Sequence, residues 1–136
     1  MKKIFALGLT LLLLVSCSID DDNQNYSFEV LPVESVDIPT EFTLGETYPI
    51  KVKYLRPSTC HEFKEFYYSK NLNERTVAPI NLVYENNDCE PLTDVEAEAT
   101  FNFIVTSNGS YVFKFWQGED ANGEDQYLTI EVPVTN

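Results

Sequence analysis

The sequence predicts an all-β fold, an antiparallel β-sandwich of about seven or eight strands with immunoglobulin-like Greek-key connections. Apolar and polar residues alternate with a period of two along most of the chain from Tyr26 onward. Turn-forming residues separate these segments at intervals of about 8–15 residues, and no stretch has the period of an amphipathic helix. The range 26–136 is long enough for one such domain.

Each alternating segment predicts a half-buried strand, because successive side chains of a strand point to opposite faces of the sheet. Pro32 ends the first segment and Pro133 ends the last, since proline cannot donate a hydrogen bond to a neighbouring strand. In chain order, the predicted strands are 26–31, 36–42, 48–54, 60–68, 77–84, 95–105, 111–116 and 128–132.

One turn signal between these segments predicts a specific hairpin. Asn108-Gly109 separates the strand 95–105 from the strand 111–116. Asn-Gly favours the type I′ turn, in which both central residues have positive φ angles. We therefore expect these two strands to pair with each other in an antiparallel manner.

The amino-terminal residues have the organisation of an export signal. Lys2 and Lys3 precede an apolar run of 12 residues over 4–15. At about 1.5 Å per residue, this run is roughly 18 Å long as a helix, too short for a bilayer core of about 30 Å. The pattern is typical of a signal peptide. The alternative is a buried core helix, which the polar, acid-rich sequence that follows disfavours.

The apolar run ends in Leu14-Val15-Ser16-Cys17, which resembles the lipobox of bacterial lipoproteins. In that motif, a leucine, a small or β-branched residue, and Gly, Ala or Ser precede a cysteine. The resemblance implies diacylglyceryl transfer to the Cys17 thiol and cleavage after Ser16, so that 1–16 is a signal peptide. Acylation of the new amino group would follow, and two or three acyl chains anchor a protein stably to a membrane.

The segment 17–25 predicts a lipidated acidic tether. Asp20–Asp22 repel one another and extend the chain, and Ile19 is its one large apolar residue. An acidic cluster just after the lipidated cysteine also resembles the surface-export signal of lipoproteins from Bacteroidetes-type bacteria, and the folded part is similar to their small uncharacterised lipoproteins. The resemblance implies the outer face of the outer membrane, with the periplasmic face as the alternative.

Two further cysteines, Cys60 and Cys89, predict a disulfide bond. An even pair in an oxidising compartment is expected to be linked, which would stabilise the fold by about 3–4 kcal/mol. The alternative is a reactive thiol with His61 as its base, which the opposite directions of neighbouring side chains on a strand disfavour. Trp116 follows both cysteines, so the immunoglobulin-like prediction depends on architecture and not on the antibody Cys, Trp, Cys order.

Charge and motif content exclude several classes of function. The nine basic residues include Lys2 and Lys3, so seven remain in the mature chain against 22 acidic residues, a formal net charge of −15. Such a surface repels nucleic acid and anionic head groups. The sequence has one histidine, and it has no zinc-binding motif, no nucleophile elbow and no phosphate-binding loop. It therefore predicts a protein that is not an enzyme and needs no cofactor. A catalytic carboxylate pair is the alternative.

The loop 118–125 contains a candidate calcium site. Asp120, Asn122 and Glu124 alternate as the first ligands of calcium loops do, and Gly123 permits a sharp turn. The bidentate glutamate of such loops has no equivalent, because Glu131 falls inside the last predicted strand. The alternative is a polar hairpin turn without a metal.

Two groups of residues are candidates for recognition. The loop from Arg56 to His61 is held by the predicted disulfide and lies at a predicted sandwich end. Trp116 with Tyr67-Tyr68 could form a stacking platform for sugar rings, although aromatic side chains on strands are more often packed in a core or at an edge. A solvated loop and ordinary packing are the alternatives for the two groups.

These features together predict a cell-envelope lipoprotein that is attached to the membrane through its lipid and does not bind nucleic acid. Its folded part is expected to be a non-enzymatic binding module for a protein or glycan partner. The alternative is a structural or accessory subunit of an envelope complex, which an exposed apolar patch on one sheet face would favour. A shallow aromatic groove would favour a glycan.

Overall fold

The computed structural model describes residues 25–85 and 88–136, and every regular element in them is a β-strand. The all-β prediction is thereby confirmed. Cys17, the signal peptide over 1–16 and the tether as far as residue 24 lie outside the described residues. The strands are β1 (Tyr26–Val30), β2 (Val33–Asp37), β3 (Phe42–Thr43), β4 (Thr47–Leu55), β5 (His61–Asn71), β6 (Glu74–Tyr84), β7 (Glu96–Ile104), β8 (Ser110–Glu119) and β9 (Asp125–Thr135).

These strands form two sheets in a sandwich-like arrangement. The smaller sheet has the order β2-β4-β7 and is antiparallel. The larger, six-stranded sheet has the order β5-β6-β8-β9-β3. Its sixth strand, β1, pairs with the second half of β6, and β8 pairs with the first half of β6. Both strands lie along the same edge of β6. The segment predicted as the single strand 36–42 is divided between the end of β2 and the start of β3.

Two pairings in the larger sheet are parallel, contrary to the prediction of a wholly antiparallel sandwich. β6 pairs with β8 and β3 pairs with β9 in this way, whereas the other strand pairs are antiparallel. Between β6 and β8 the chain passes through β7 of the smaller sheet and re-enters the larger sheet in the same direction. Between β3 and β9 it passes through β4 to β8, which belong to both sheets.

The hairpin predicted at Asn108-Gly109 is wrong. β7 belongs to the smaller sheet and β8 to the larger one, so this turn carries the chain from one sheet to the other. Gly109 has a φ of 94°, but Leu72 and Asp94 are the only described residues other than glycine with positive φ. Asn108 therefore lacks the positive φ that a type I′ turn requires.

The hydrophobic core lies between the two sheets and is rich in aromatic rings. Phe103 of the smaller sheet packs edge to face against Tyr111 and Phe113 of the larger sheet, with ring centroids 4.8 and 5.1 Å apart. No helix among the described residues is long and apolar enough to cross a membrane. The buried residues of the main core are Val33, Phe42, Ile50, Val52, Val77, Phe103, Val105, Tyr111, Phe113, Phe115 and Val132.

Candidate functional site

The two outer faces of the sandwich differ in chemistry. The outer face of the smaller sheet carries charged pairs, in which Lys53 lies 3.6 Å from Asp37 and 3.9 Å from Glu98. The outer face of the larger sheet instead presents aromatic and aliphatic side chains, and no third layer of the described residues covers it. Large apolar side chains left in water on one face indicate a surface that contacts something else.

A shallow groove of about 260 Å³ crosses the outer face of the larger sheet. Aromatic rings from three different strands form its walls, namely Tyr67 of β5, Trp116 of β8 and Tyr127 of β9. We call this feature the aromatic groove. The complete set of residues that line it is Val30, Tyr67, Thr76, Ala78, Trp116, Asp125 and Tyr127.

The strand arrangement explains why a groove forms at this position. β1 pairs with β6 only from Ile80 onward, and β8 pairs with β6 only as far as Val77. The outer face therefore has a gap between the end of β1 and β8. Ala78 lies at this junction and has too small a side chain to fill the gap, whereas its cross-strand neighbour Tyr67 rises beside it.

Polar contacts fix the walls of the aromatic groove. The Trp116 indole Nε1–H donates a hydrogen bond to Asp125 Oδ1 over 2.8 Å, and the Lys114 ammonium lies 4.6 Å from the centre of the Tyr127 ring. Desolvation raises the pKa of Tyr127, and the Asp125 carboxylate and Tyr67 act in the same direction. The Trp116 and Tyr127 rings are therefore oriented before any ligand arrives.

This arrangement has the chemistry that binds a sugar ring. The C–H face of a sugar packs on an aromatic ring, and its hydroxyl groups donate to a carboxylate. Asp125 supplies acceptor oxygens at the rim of the groove, beside the Trp116 and Tyr127 rings. Because its walls are rings of restricted freedom, the groove loses little conformational entropy when a ligand binds.

The structure brings together part of the predicted stacking platform. Trp116 and Tyr67 share the aromatic groove, as the platform hypothesis requires. Tyr68 points to the opposite side of β5, where its ring lies 5.8 Å from that of Phe101, so its inclusion was wrong. Period-two alternation separates the neighbours Tyr67 and Tyr68. The same alternation, read on the segment before Leu128, could have identified Tyr127 as an outward aromatic residue.

The loop from Arg56 to His61 is held by its own hydrogen bonds. Arg56 Nε donates to the His61 carbonyl oxygen over 2.7 Å, and Arg56 Nη2 donates to that of Thr59 over 3.0 Å. The His61 residue is only 7% exposed. The structure keeps the two candidate groups apart, because Trp116 lies in the aromatic groove and neither Arg56 nor His61 is among its lining residues.

Both ring nitrogens of His61 have partners that the sequence did not indicate. Ser58 Oγ lies 2.7 Å from Nδ1, and Glu29 Oε2 of β1 lies 2.7 Å from Nε2. Ser58 Oγ also accepts a hydrogen bond from the Cys60 N–H. A neutral imidazole protonated on Nε2 satisfies every contact, with the Ser58 hydroxyl donating to Nδ1.

Serine, histidine and glutamate are the residue types of a hydrolytic triad, and here they are joined through the two ring nitrogens of His61. His61 lines a neighbouring cavity of about 280 Å³ with Tyr54 and Arg56, and Ser58 is not among the residues that line it. The hydrogen bonds connect β1, the loop before β5 and the first residue of β5.

The Cys60–Cys89 disulfide bond is confirmed. The two Cα atoms lie 5.4 Å apart, and the bond closes a loop with a sequence separation of 29. It joins the start of β5 to the segment that follows β6. The alternative of a reactive Cys60 thiol with His61 as base is thereby removed.

The candidate calcium loop forms a hydrogen-bonded turn between β8 and β9. Asp120 Oδ1 accepts hydrogen bonds from the N–H groups of Asn122 (2.8 Å) and Glu124 (3.0 Å). Asp120 therefore acts as a turn-stabilising acceptor, as the alternative interpretation proposed. Glu131 lies in β9 and accepts a hydrogen bond from Ser110. Within 25–85 and 88–136, no group of three or more His, Cys, Asp or Glu residues is arranged to hold a metal ion.

No family model, no curated protein and no solved structure matches the chain.

Proposed function

We propose that this protein is a cell-envelope lipoprotein whose sandwich domain is a non-enzymatic binding module for a neutral glycan. The observation that carries the proposal is the aromatic groove, in which Tyr67, Trp116 and Tyr127 surround a floor of small residues. An uncovered face with fixed rings and one carboxylate is suited to a ligand that is apolar on its faces and polar at its rim.

The charge of the protein selects among glycans. The chain has a formal net charge of −13, and Asp125 adds a carboxylate directly at the groove. An acidic polysaccharide would be repelled both at long range and at the site. The proposal is therefore limited to neutral saccharides.

The location is also a proposal. The resemblance of 14–17 to a lipobox supports a lipid anchor on Cys17, and the acidic segment that follows supports export to the outer face of the outer membrane. A binding module at that position would meet glycans outside the cell. The tether of nine residues over 17–25 reaches at most about 30 Å, so the domain would stay close to the membrane.

An immunoglobulin-like Greek key remains the proposed topology. The order β2-β4-β7 in one sheet and the parallel pairing of β3 with β9 in the other support it. The parallel pairing of β6 with β8 is the departure from the usual pattern, in which the strands of such a sheet are antiparallel.

Calorimetric titration with a panel of neutral oligosaccharides tests the glycan proposal. At least one member should bind, and Tyr67→Ala should abolish that binding because it removes a wall of the groove. Tyr68→Ala is the matched control, since it removes the adjacent ring on the other side of the same strand and should leave glycan affinity unchanged. Equal loss in both variants, or no binding to any member, would contradict the proposal.

The exposed apolar side chains of β1 support a second candidate, a structural subunit of an envelope complex. Tyr26, Phe28 and Val30 are 54%, 58% and 42% exposed and lie in one row on the outer face of the larger sheet. A photo-crosslinking residue at Phe28 should capture a neighbouring envelope protein in cells, whereas one at Thr129, on the same face beside Lys114, should not. Crosslinking that is the same at both positions would remove this candidate.

A further inference from the structure

A second concave site lies on the other side of β5, between the edges of the two sheets. This cleft has a volume of about 460 Å³. It is distinct from the aromatic groove, with which it shares no lining residue. We call it the edge cleft. Its lining residues are Phe66, Tyr68, Lys70, Arg75, Phe101, Asn102, Phe103, Ile104 and Thr106.

Arg75 is the unusual residue of the edge cleft. It is only 8% exposed, and its guanidinium lies over the rings of Tyr111 and Phe103, with its central carbon 5.2 and 6.0 Å from their centroids. Nη1 donates to the carbonyl oxygens of Leu72 and Glu74, each over 2.8 Å. Nε is buried and has no hydrogen-bond partner among the described residues.

The buried charge of Arg75 has no counter-charge within the described residues. No described carboxylate forms an ion pair with it, and no Asp or Glu lines the edge cleft, although the chain has 22 acidic residues. A buried cation without a paired anion is costly. Lys70 adds a second positive charge at the same cleft.

Four of the other lining residues are wholly apolar. Phe66, Phe101, Phe103 and Ile104 supply three aromatic rings and one branched side chain, and the Phe66 and Phe101 rings meet edge to face at 5.2 Å. A ligand that neutralises Arg75 must therefore place its anionic group beside an apolar body. Small inorganic anions would leave this apolar lining without a partner.

We propose that the edge cleft binds an organic monocarboxylate, with its carboxylate on Arg75 and its aromatic or aliphatic body against Phe66 and Phe101. Arginine suits this role because its guanidinium makes charge-assisted hydrogen bonds to a carboxylate. Lys70 strengthens the attraction from the rim. The site is independent of the glycan proposal, since neither depends on a residue of the other.

Calorimetric titration of the purified protein with 3-phenylpropionate tests the proposal, and the neutral 3-phenylpropanamide is the matched ligand. The carboxylate should bind at least about tenfold more tightly than the amide, as expected for a charge-assisted hydrogen bond. Equal affinities would show an apolar cleft without anion recognition and would overturn the proposal. So would the absence of binding to the carboxylate at millimolar concentration.

Two variants locate the binding. Arg75→Met keeps the side-chain stem and removes the charge, so it should abolish the preference for the carboxylate over the amide. Lys70→Gln leaves the buried Arg75 guanidinium in place, so it should not disturb the fold. It should weaken carboxylate binding severalfold. Lys51→Gln, which removes a lysine from the outer face of the smaller sheet, should have no effect. The assignment would be refuted if carboxylate binding were unchanged both in Lys70→Gln and in folded Arg75→Met. It would also be refuted if Lys51→Gln reduced the binding as much as they do.

Discussion

The buried polar side chains indicate which contacts hold the fold and which are available to ligands. Among the described residues, His61, Arg75 and Asn81 are the buried polar or charged ones. His61 has a partner on each ring nitrogen, and Asn81 Oδ1 accepts a hydrogen bond from the Tyr54 hydroxyl over 3.3 Å. Arg75 Nε and Asn81 Nδ2 both lack a hydrogen-bond partner in this part of the chain. Arg75 differs because it carries a charge without a counter-charge and lines an open cleft.

Tyr54→Phe should destabilise the fold by about 1 kcal/mol at neutral pH, because Asn81 loses its hydrogen-bond donor. Burial raises the pKa of Tyr54 above its usual 10.0, and the nearby Arg56 charge acts in the opposite direction. The folded state therefore favours the neutral phenol, and this contribution to stability is lost as the pH rises above about 10. Urea unfolding measures the difference in free energy of unfolding between the wild type and Tyr54→Phe, and this difference should be smaller at about pH 11 than at about pH 8. An advantage that grows with pH would refute the argument.

Leu72 is in the least favourable backbone conformation for its residue type. It has a φ of 56° in the turn between β5 and β6, and its side chain is 92% exposed. Leu72→Gly should raise the free energy of unfolding by about 1 kcal/mol, since a left-handed conformation strains any residue with a Cβ atom. Thermal unfolding measures the gain. Leu44→Gly, at an exposed leucine without positive φ, should give no gain, and equal gains would contradict the explanation.

At the scale of elements, β6 organises the larger sheet because it pairs with three strands. It contains Pro79, which a strand with neighbours on both edges would normally exclude. The Pro79 carbonyl oxygen accepts a hydrogen bond from the Leu31 N–H, so this residue faces the edge shared by β1 and β8. In an extended strand, N–H and C=O of one residue point to the same side. The position where Pro79 lacks an N–H therefore faces the gap between the end of β1 and β8. Ala78 forms the floor of the aromatic groove at this gap.

The sequence allowed the elements to be predicted better than their partners. Period-two alternation identified most strands, and cysteine count with export context predicted the disulfide bond. The sequence could not show that β1 and β8 share one edge of β6, because strand order depends on contacts between segments that are distant in the chain. Asn108-Gly109 misled for the same reason, since a turn signal does not state which sheet the next strand joins. The aromatic groove depends on this strand order, so the sequence suggested Trp116 and Tyr67 as a platform but could not show that Tyr127 lies beside them.

Removing the disulfide bond should destabilise the fold without changing its architecture. The double variant Cys60→Ala, Cys89→Ala should lose about 3–4 kcal/mol of unfolding free energy, because the open loop regains entropy in the unfolded chain. Urea denaturation compares it with the wild type under non-reducing conditions. A reductant should bring the wild type to the stability of the variant. Equal stability of variant and oxidised wild type would be the contrary result.

At the scale of the whole molecule, the protein combines a strongly acidic composition with local exceptions. The formal net charge is −13, yet Arg75 and Lys70 create a positive site in the edge cleft. The outer face of the smaller sheet is charged and suited to water, whereas that of the larger sheet carries the aromatic groove and the exposed β1 row. The sandwich therefore has one charged outer face and one outer face that is rich in exposed aromatic side chains.

The lipid anchor is tested on the whole chain in cells. Labelled fatty acid should be incorporated into the wild type and should be absent from Cys17→Ser, because Cys60 and Cys89 are joined to each other. The same substitution should release the protein from the membrane fraction, since no other anchor is proposed. Cys60→Ala, Cys89→Ala is the control and should keep both the label and the location. Label that persists in Cys17→Ser would contradict the anchor.

The central claim, that the aromatic groove binds a neutral glycan, is tested most directly by intrinsic fluorescence. The chain has one tryptophan, Trp116, and it lies in the groove wall, so its emission reports on this site alone. Titration with the neutral oligosaccharide that binds in calorimetry should change the emission to a saturating value, and Tyr127→Ala should remove that change. Binding detected by calorimetry with the Trp116 emission unaltered would place the ligand elsewhere and contradict the claim.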